Sequence, residues 1–198
     1  MRKIIANAKL SLDGVMQGPS GPQEDSSDGF DLGGWATKFS DPKAGAAIMS
    51  LVGTLDKPYD LLLGRKTYDI FAGYWPYVPA DNPIGSVFTK ANKYVLTRGT
   101  PKLDWDNTHK LRSIDELKKV KAEKGSDFVL WGSSTLYPQL LDANLIDRLL
   151  LLICPIVLGK GKRIFGNTGH QAALQLTKSE VTSTGVIIAT YEHAARDK

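Results

Sequence analysis

Tyr59-Asp60-Leu61-Leu62-Leu63-Gly64-Arg65-Lys66-Thr67-Tyr68 carries the fold in ten residues. An apolar run of strand length ends in a glycine, and a short helix over Arg65 to Phe71 follows at once. The run is too short for a buried helix and does not alternate, so it reads as a strand buried on both faces. A strand passing through one glycine into a helix is the repeating unit of a parallel sheet covered by helices.

The same pattern returns at Val129-Leu130-Trp131-Gly132-Ser133-Ser134-Thr135-Leu136, with a strand over Asp127 to Trp131 and a turn and helix over Gly132 to Asn144. Upstream, Lys3 to Leu12 begins as the strand Ile4-Ile5-Ala6 and ends in Ser11-Leu12-Asp13-Gly14. Pro19 to Gly34 is rich in Gly, Pro, Ser and Asp, which is loop composition, and long loops in compact domains are usually lids or binding loops. Asp41-Pro42 supplies an N-cap and a first-turn proline for a helix over Ala44 to Leu55, with Ile48, Leu51, Val52 and Leu55 at helical spacing and Pro58 as its stop. Tyr74 to Pro83 reads as an aromatic and proline loop, Lys93 to Thr97 as a strand and Thr108 to Leu111 as a short extended piece. Ser113-Ile114-Asp115-Glu116 is a capping box opening a helix to Lys124. Ile146 to Val157 reads as a long strand, and Leu174 to Ser183 with Val186 to His193 as a hairpin about Thr184-Gly185. The expectation is an α/β fold: a mostly parallel sheet flanked by helices, closed by a C-terminal antiparallel hairpin, in one domain over residues 1–198.

Composition narrows the function classes. The single cysteine, Cys154, excludes an intrachain disulfide and sits in an apolar run, as a buried core thiol does. With no signal-peptide pattern and no run of the roughly 18 apolar residues that a membrane span needs, a soluble, cytoplasmic protein is expected. The net charge of +4 is scattered, without the stripe that nucleic-acid binding requires; the partner expected is a small molecule. His109, His170 and His193 lack Asp or Ser partners at useful spacing, so neither a catalytic histidine nor a metal site is expected.

In an open α/β sheet, ligands bind at the carboxyl ends of strands. At Gly64, Arg65, Lys66 and Thr67 a helix N-terminus offers N–H groups and the favourable end of its dipole to an anion, with two cations and a hydroxyl added; an ordinary tight turn is the competing reading. Thr97-Arg98 pairs a hydroxyl with a guanidinium at another strand end, suited to a ribose 2′-phosphate or else merely solvated. Gly132, Ser133, Ser134, Thr135 and Leu136 repeat the first arrangement, with simple capping as the alternative. Three such turns suggest a dinucleotide laid across strand ends, although no GxGxxG is present.

These residues also carry a resemblance. Ser11-Leu12-Asp13-Gly14, Gly64 to Tyr68, Trp131 to Leu136 and Pro155-Ile156-Val157-Leu158-Gly159-Lys160-Gly161-Lys162-Arg163-Ile164-Phe165 stand in the order seen in the dihydrofolate reductase superfamily. The chain resembles most the branch of the RibD C-terminal domain, the reductase of riboflavin biosynthesis acting on 5-amino-6-(5-phosphoribosylamino)uracil. The resemblance implies a dihydrofolate-reductase-like fold and NADPH as hydride donor. It implies adenosine phosphates near Gly64 to Thr67 and near Thr97 and Arg98, the pyrophosphate and nicotinamide half along Gly132 to Leu136, and the nicotinamide ring near Ala8, Val15 and Met16. Gly159 and Gly161 then resemble loop glycines at the mouth of the site, or structural turns.

The chain also departs from its relatives. The zinc deaminase that precedes this domain in RibD needs cysteines that the chain lacks, which excludes deamination. Dihydrofolate reductases use an acidic residue on the first helix; here Asp41 reads as the cap, Asp56 lies at the far end, and nothing acidic stands between. Ser133 replaces the second glycine of their Gly-Gly pair.

For the substrate, Asp13 is the first candidate contact, with a turn-forming Asp as the alternative. Trp35, Tyr74 and Trp75 lie in loops able to roof a flat heterocycle, or to anchor those loops to the core. The expected activity is NADPH-dependent reduction of a small heterocycle or carbonyl compound. Dihydrofolate reduction and noncatalytic nucleotide binding are the alternatives. The resemblance and the apolar strand Leu149 to Val157 suggest a homodimer.

Overall fold

The structure is a computed structural model that describes residues 1–52, 58–100, 102–166 and 173–193. Leu55, Asp56 and His170 lie outside these residues. The elements in chain order are β1 (Ile4–Leu10), α1 (Pro42–Val52), β2 (Tyr59–Gly64), α2 (Arg65–Ala72), α3 (Pro83–Lys90), β3 (Lys93–Leu96), β4 (Thr108–Leu111), α4 (Ile114–Ala122), β5 (Asp127–Leu130), α5 (Leu136–Asp142), β6 (Arg148–Ile153), β7 (Leu174–Val181) and β8 (Ile187–His193).

The described strands form one sheet in the order β4-β3-β2-β5-β1-β6-β8-β7. Pairing is parallel from β4 through β6, and antiparallel where β6 meets β8 and β8 meets β7. The parallel core and the closing hairpin are thus as expected. The expected α/β fold stands.

One strand boundary is corrected. The strand expected over Ile146 to Val157 is shorter: past Ile153, Pro155 has no N–H to continue the ladder and the Ile156 N–H turns back to the Cys154 carbonyl at 2.8 Å. Between the aromatic loop and β3, where the sequence reading assigned no element, stands α3. Asn82 caps α3 by accepting from the N–H groups of Ile84 and Gly85 at 3.1 and 2.9 Å, with Pro83 in the first turn. Gly85 and the β-branched Ile84, Val87 and Thr89 hide this helix from propensity arguments. Gly85 is needed there because Val78 packs against its backbone.

Alternation along β1 divides the core. Ile4, Ala6, Ala8 and Leu10 face one layer with Leu130, Leu149 and Leu151, covered by Leu117 of α4 and Tyr137 and Leu140 of α5. The opposite face carries two clusters. One joins Ile5, Leu150, Leu152 and Cys154 to α1 and to Phe30 and Trp35 of the first loop. The other joins Leu61, Leu63, Val95 and Val129 to Tyr68 of α2 and Phe88 of α3. On that face α1 and the α2–α3 pair stand apart, and a cleft opens between them.

Candidate functional site

The cleft has a volume of about 770 Å³. Asn7 and Lys9, on the Ile5 side of β1, are at its floor with Trp131. Ile48 of α1 is one wall; Ile70 and Phe71 of α2, Trp75, and Ile84 and Phe88 of α3 are the other. Trp75 meets Phe88 edge-on at 4.9 Å, and Phe88 meets Trp131 at 5.4 Å, which fixes an aromatic wall beside the slot. Met16 to Asp25 of the first loop close the mouth together with Lys162.

At one end of the cleft, two turns far apart in sequence are stitched together. Ser133 Oγ accepts the Gly64 N–H at 2.8 Å and donates to the Trp131 carbonyl at 2.8 Å. The Ser133 N–H donates to Thr67 Oγ1 at 2.8 Å. These bonds hold Gly132 and Ser133 in the left-handed region, at φ 51° and 63°. A Cβ at Gly132 would lie 2.9 Å from Thr67 Oγ1, so glycine there allows the two turns to meet. Gly64, the N-cap of α2, has no side chain to cap the helix. The N–H groups of its first turn therefore remain for a ligand at the cleft.

The cations of that turn are engaged by carboxylates. Arg65 Nε pairs with Asp69 at 2.7 Å, and Lys66 Nζ with Asp25 of the first loop. Asp25 also receives Lys162 Nζ at 3.1 Å. Burial pushes the Asp25 carboxyl up, but hydrogen bonds from Lys66, Ser27 and Lys162 outweigh it and hold the group well below the usual carboxylate range. Asp25 is thus a rivet between the loop, α2 and the Pro155 to Phe165 segment. Gln17 stiffens the same loop: its amide donates to the Ser27 carbonyl at 2.9 Å and accepts the Lys162 N–H at 3.0 Å. Gly161, at φ 117°, lets that segment press on Val15 and Phe30, since a Cβ there would lie 2.6 Å from Val15 Cγ1.

Of the residues singled out in the sequence, the cleft gathers Ala8, Met16, Gly64, Arg65, Lys66, Thr67, Tyr74, Trp75, Gly132, Ser133, Ser134 and Thr135. It does not gather the others. Asp13 is on a separate depression with Leu10, Leu151 and Arg163. Asp13 accepts the N–H groups of Leu158 and Gly159 at 3.0 and 2.9 Å, the Ser11 hydroxyl at 2.7 Å, and Arg163 at 3.1 Å. The amide of Leu158 and the hydroxyl of Ser11 foremost hold its carboxyl far below the ordinary value. Asp13 is a clamp between two loops, not a free contact for substrate. Trp35 is buried and its indole donates to the Gln17 carbonyl at 2.8 Å, so it anchors the loop from beneath. Val15 and Leu136 are likewise buried in the core.

Thr97 and Arg98 follow β3, whose Leu96 pairs with Gly64 of β2. They lie one strand beyond the cleft, with Arg98 exposed. Asn7, Lys9, Gln17, Asp25 and Ile48 were not singled out as site residues. For Asn7 and Lys9 a signal existed: two polar residues on the otherwise apolar alternation of the first strand.

Asp41 accepts the Lys43 N–H at 2.8 Å and, from the far hairpin, the Ser183 hydroxyl at 2.5 Å. It is a cap and a tie between α1 and the sheet edge. Among the described side chains of α1, the one presented to the cleft is Ile48.

The RibD C-terminal domain model matches residues 2–188. The chain belongs to the RibD C-terminal domain family. Two relatives from Bacillus subtilis (strain 168) are similar along nearly their whole length. Uncharacterized protein YyaP is 26% identical over 194 residues, 96% of this chain and 94% of that one. Uncharacterized protein YwjB is 26% identical over 180 residues, 88% and 89% of the two chains. Among solved structures, a protein named for riboflavin biosynthesis from Shewanella sp. PV-4 superposes with a TM-score of 0.67 at 18% identity, covering 98% of this chain and 99% of that one. Dihydrofolate reductase from Enterococcus faecalis, complexed with NADP(H) and RAB-propyl, gives a TM-score of 0.61 at 14% identity, over 98% and 97%. A pyrimidine reductase-like protein from Corynebacterium diphtheriae gives 0.61 at 13%, over 98% and 92%. The chain therefore has a fold shared with NADP-binding reductases.

Proposed function

We propose that this chain is an NADPH-dependent reductase of a small, planar heterocyclic or carbonyl compound. The observation that carries the proposal is the pair of stitched turns after β2 and β5, opening on an aromatic-walled cleft. The residues suit the cofactor. The uncapped first turn of α2 at Arg65 to Thr67 offers N–H donors to phosphate, and Gly132, by letting the two turns meet, brings the turn after β5 beside it. The hydroxyls of Ser134 and Thr135 add further donors along the cleft. Thr97 and Arg98 stand one strand further out, where a 2′-phosphate would distinguish NADPH from NADH. Met16 and the backbone of β1 at Ala8 border the cleft, and the nicotinamide is assigned there.

When bound, NADPH supplies the hydride. The chain's own residues supply position and exclusion of water. Trp75 and Tyr74, edge-on at 5.0 Å, with Trp131 offer faces and edges to a flat ring. The riveted loop over Met16 to Asp25 shields it. Among its described side chains α1 presents Ile48 and no carboxylate to the cleft, which argues against dihydrofolate as the substrate. The sheet draws strands from both ends of the chain, which supports one domain over residues 1–198.

A homodimer is part of the proposal, with exposed Leu12, Phe165 and Leu176 as the apolar surface to cover. The strand Leu149 to Val157 lends it no support, since Leu149 to Leu152 are buried within this chain. Light scattering at working concentration checks it, and a monomeric mass rejects it.

Titration with NADPH and NADH, followed by tryptophan fluorescence and calorimetry, tests the function. NADPH is expected to bind more tightly than NADH, with the difference lost in Arg98→Ala. Failure of both nucleotides to bind rejects the reductase.

A further inference from the structure

The titratable side chains lining the cleft are almost all spoken for. Lys66 and Lys162 share Asp25, and Arg65 holds Asp69. Glu24 accepts the Ser20 N–H at 2.7 Å and the Gly21 N–H at 3.3 Å. Lys9 differs. It is half-buried at the carboxyl end of the central strand β1, beside Leu152 of β6. Among the described residues it has no hydrogen-bond or ion-pair partner. Its titratable neighbour is the Cys154 thiol, whose pKa burial pushes up against the pull of Lys9's charge, so no thiolate answers the ammonium. An ammonium partly withdrawn from water without a counter-charge is costly, and it gains most from an anion brought by a ligand. Trp131 and the Trp75–Phe88 wall, which line the same cleft, fit a flat ring.

We propose that Lys9 is a subsite for negative charge, and that the cleft selects planar compounds bearing a carboxylate or an ionised oxygen on the ring itself. The proposal rests on reading this cleft as the substrate site of a reductase. Lys9 acts as a compact point charge on a flexible stem, able to follow the anion as the ring settles against the aromatic wall. Asn7, two residues earlier on the same face, does not compete for that role. Its amide already donates to the Leu130 carbonyl at 2.8 Å.

The test measures calorimetric binding of benzoate, naphthoate and their uncharged amides to the full chain, with and without saturating NADPH. The carboxylates are expected to bind about tenfold or more tightly than the matched amides. That preference is expected to vanish in Lys9→Met and to persist in Lys9→Arg, while amide binding stays unchanged in both. Lys9→Gln serves in place of Lys9→Met if the latter does not fold. Equal affinity for acid and amide, no binding of any carboxylate at millimolar concentration, or a preference that survives in Lys9→Met overturns the proposal. If NADPH fails to bind but the carboxylate preference stands, the reductase reading falls and the anion subsite remains. If NADPH binds and the preference is absent, the subsite alone falls.

Discussion

The backbone N–H of Ser133 donates to the hydroxyl of Thr67 at 2.8 Å, across 66 residues of chain. That bond joins the turn after β5 to the first turn of α2, and the cleft depends on both. Ser133 is itself buried, so removing its acceptor strands a donor away from water. Thr67→Val is expected to lower stability by about 1–3 kcal/mol, read from urea unfolding, and to weaken NADPH binding. Thr67→Ser, which keeps the hydroxyl, is expected to restore both. Unfolding of Thr67→Val indistinguishable from the parent would mean that the two turns do not depend on one another.

The carboxylate of Asp25 gives the loop over the cleft a dependence on acid. Its folded pKa lies below the ordinary value, which is near 3.9 for an unfolded chain. The stabilisation it provides is therefore fully present above about pH 4 and is lost as pH falls toward the folded value. Asp25→Asn is expected to flatten the acid limb of a stability-against-pH curve. It should also speed limited proteolysis within residues 17–36 at neutral pH, because Lys66 and Lys162 lose their shared partner. An acid limb that overlays the parent's would refute the rivet.

Asp13 separates structure from binding. Its carboxylate satisfies two backbone donors, one hydroxyl and one guanidinium, none of them in the cleft. Asp13→Ala is expected to reduce thermal stability while leaving NADPH affinity within about twofold of the parent, a difference under half a kcal/mol. A large loss of cofactor affinity at unchanged melting temperature would return Asp13 to the site.

Local chemistry alone made much of this protein legible. The apolar runs of β2, β5 and β6 read as strands because a buried parallel strand needs continuous apolar side chains, and that need is met residue by residue. The capping box at Ser113 was equally local: its hydroxyl accepts the Glu116 N–H at 3.2 Å in the structure. So was Gly132 after β5, where a φ of 51° admits few other residues. Helix α3 was missed because its low-propensity residues are held by Asn82 and by packing on Val78. The roles of Asp13, Trp35, Lys9 and Asp25 belong to another class. Asp13 meets its amide partners 145 and 146 residues away, and Asp25 meets Lys66 and Lys162 at separations of 41 and 137. No local pattern distinguishes a carboxylate that will find such partners from one that will face a ligand. The sequence by itself determined most strands and the turns that join them to helices, because those depend on local composition. Only the tertiary structure decided which polar side chains spend their bonding capacity on the fold, because the partners of Asp13 and Asp25 arrive from segments far away in the chain.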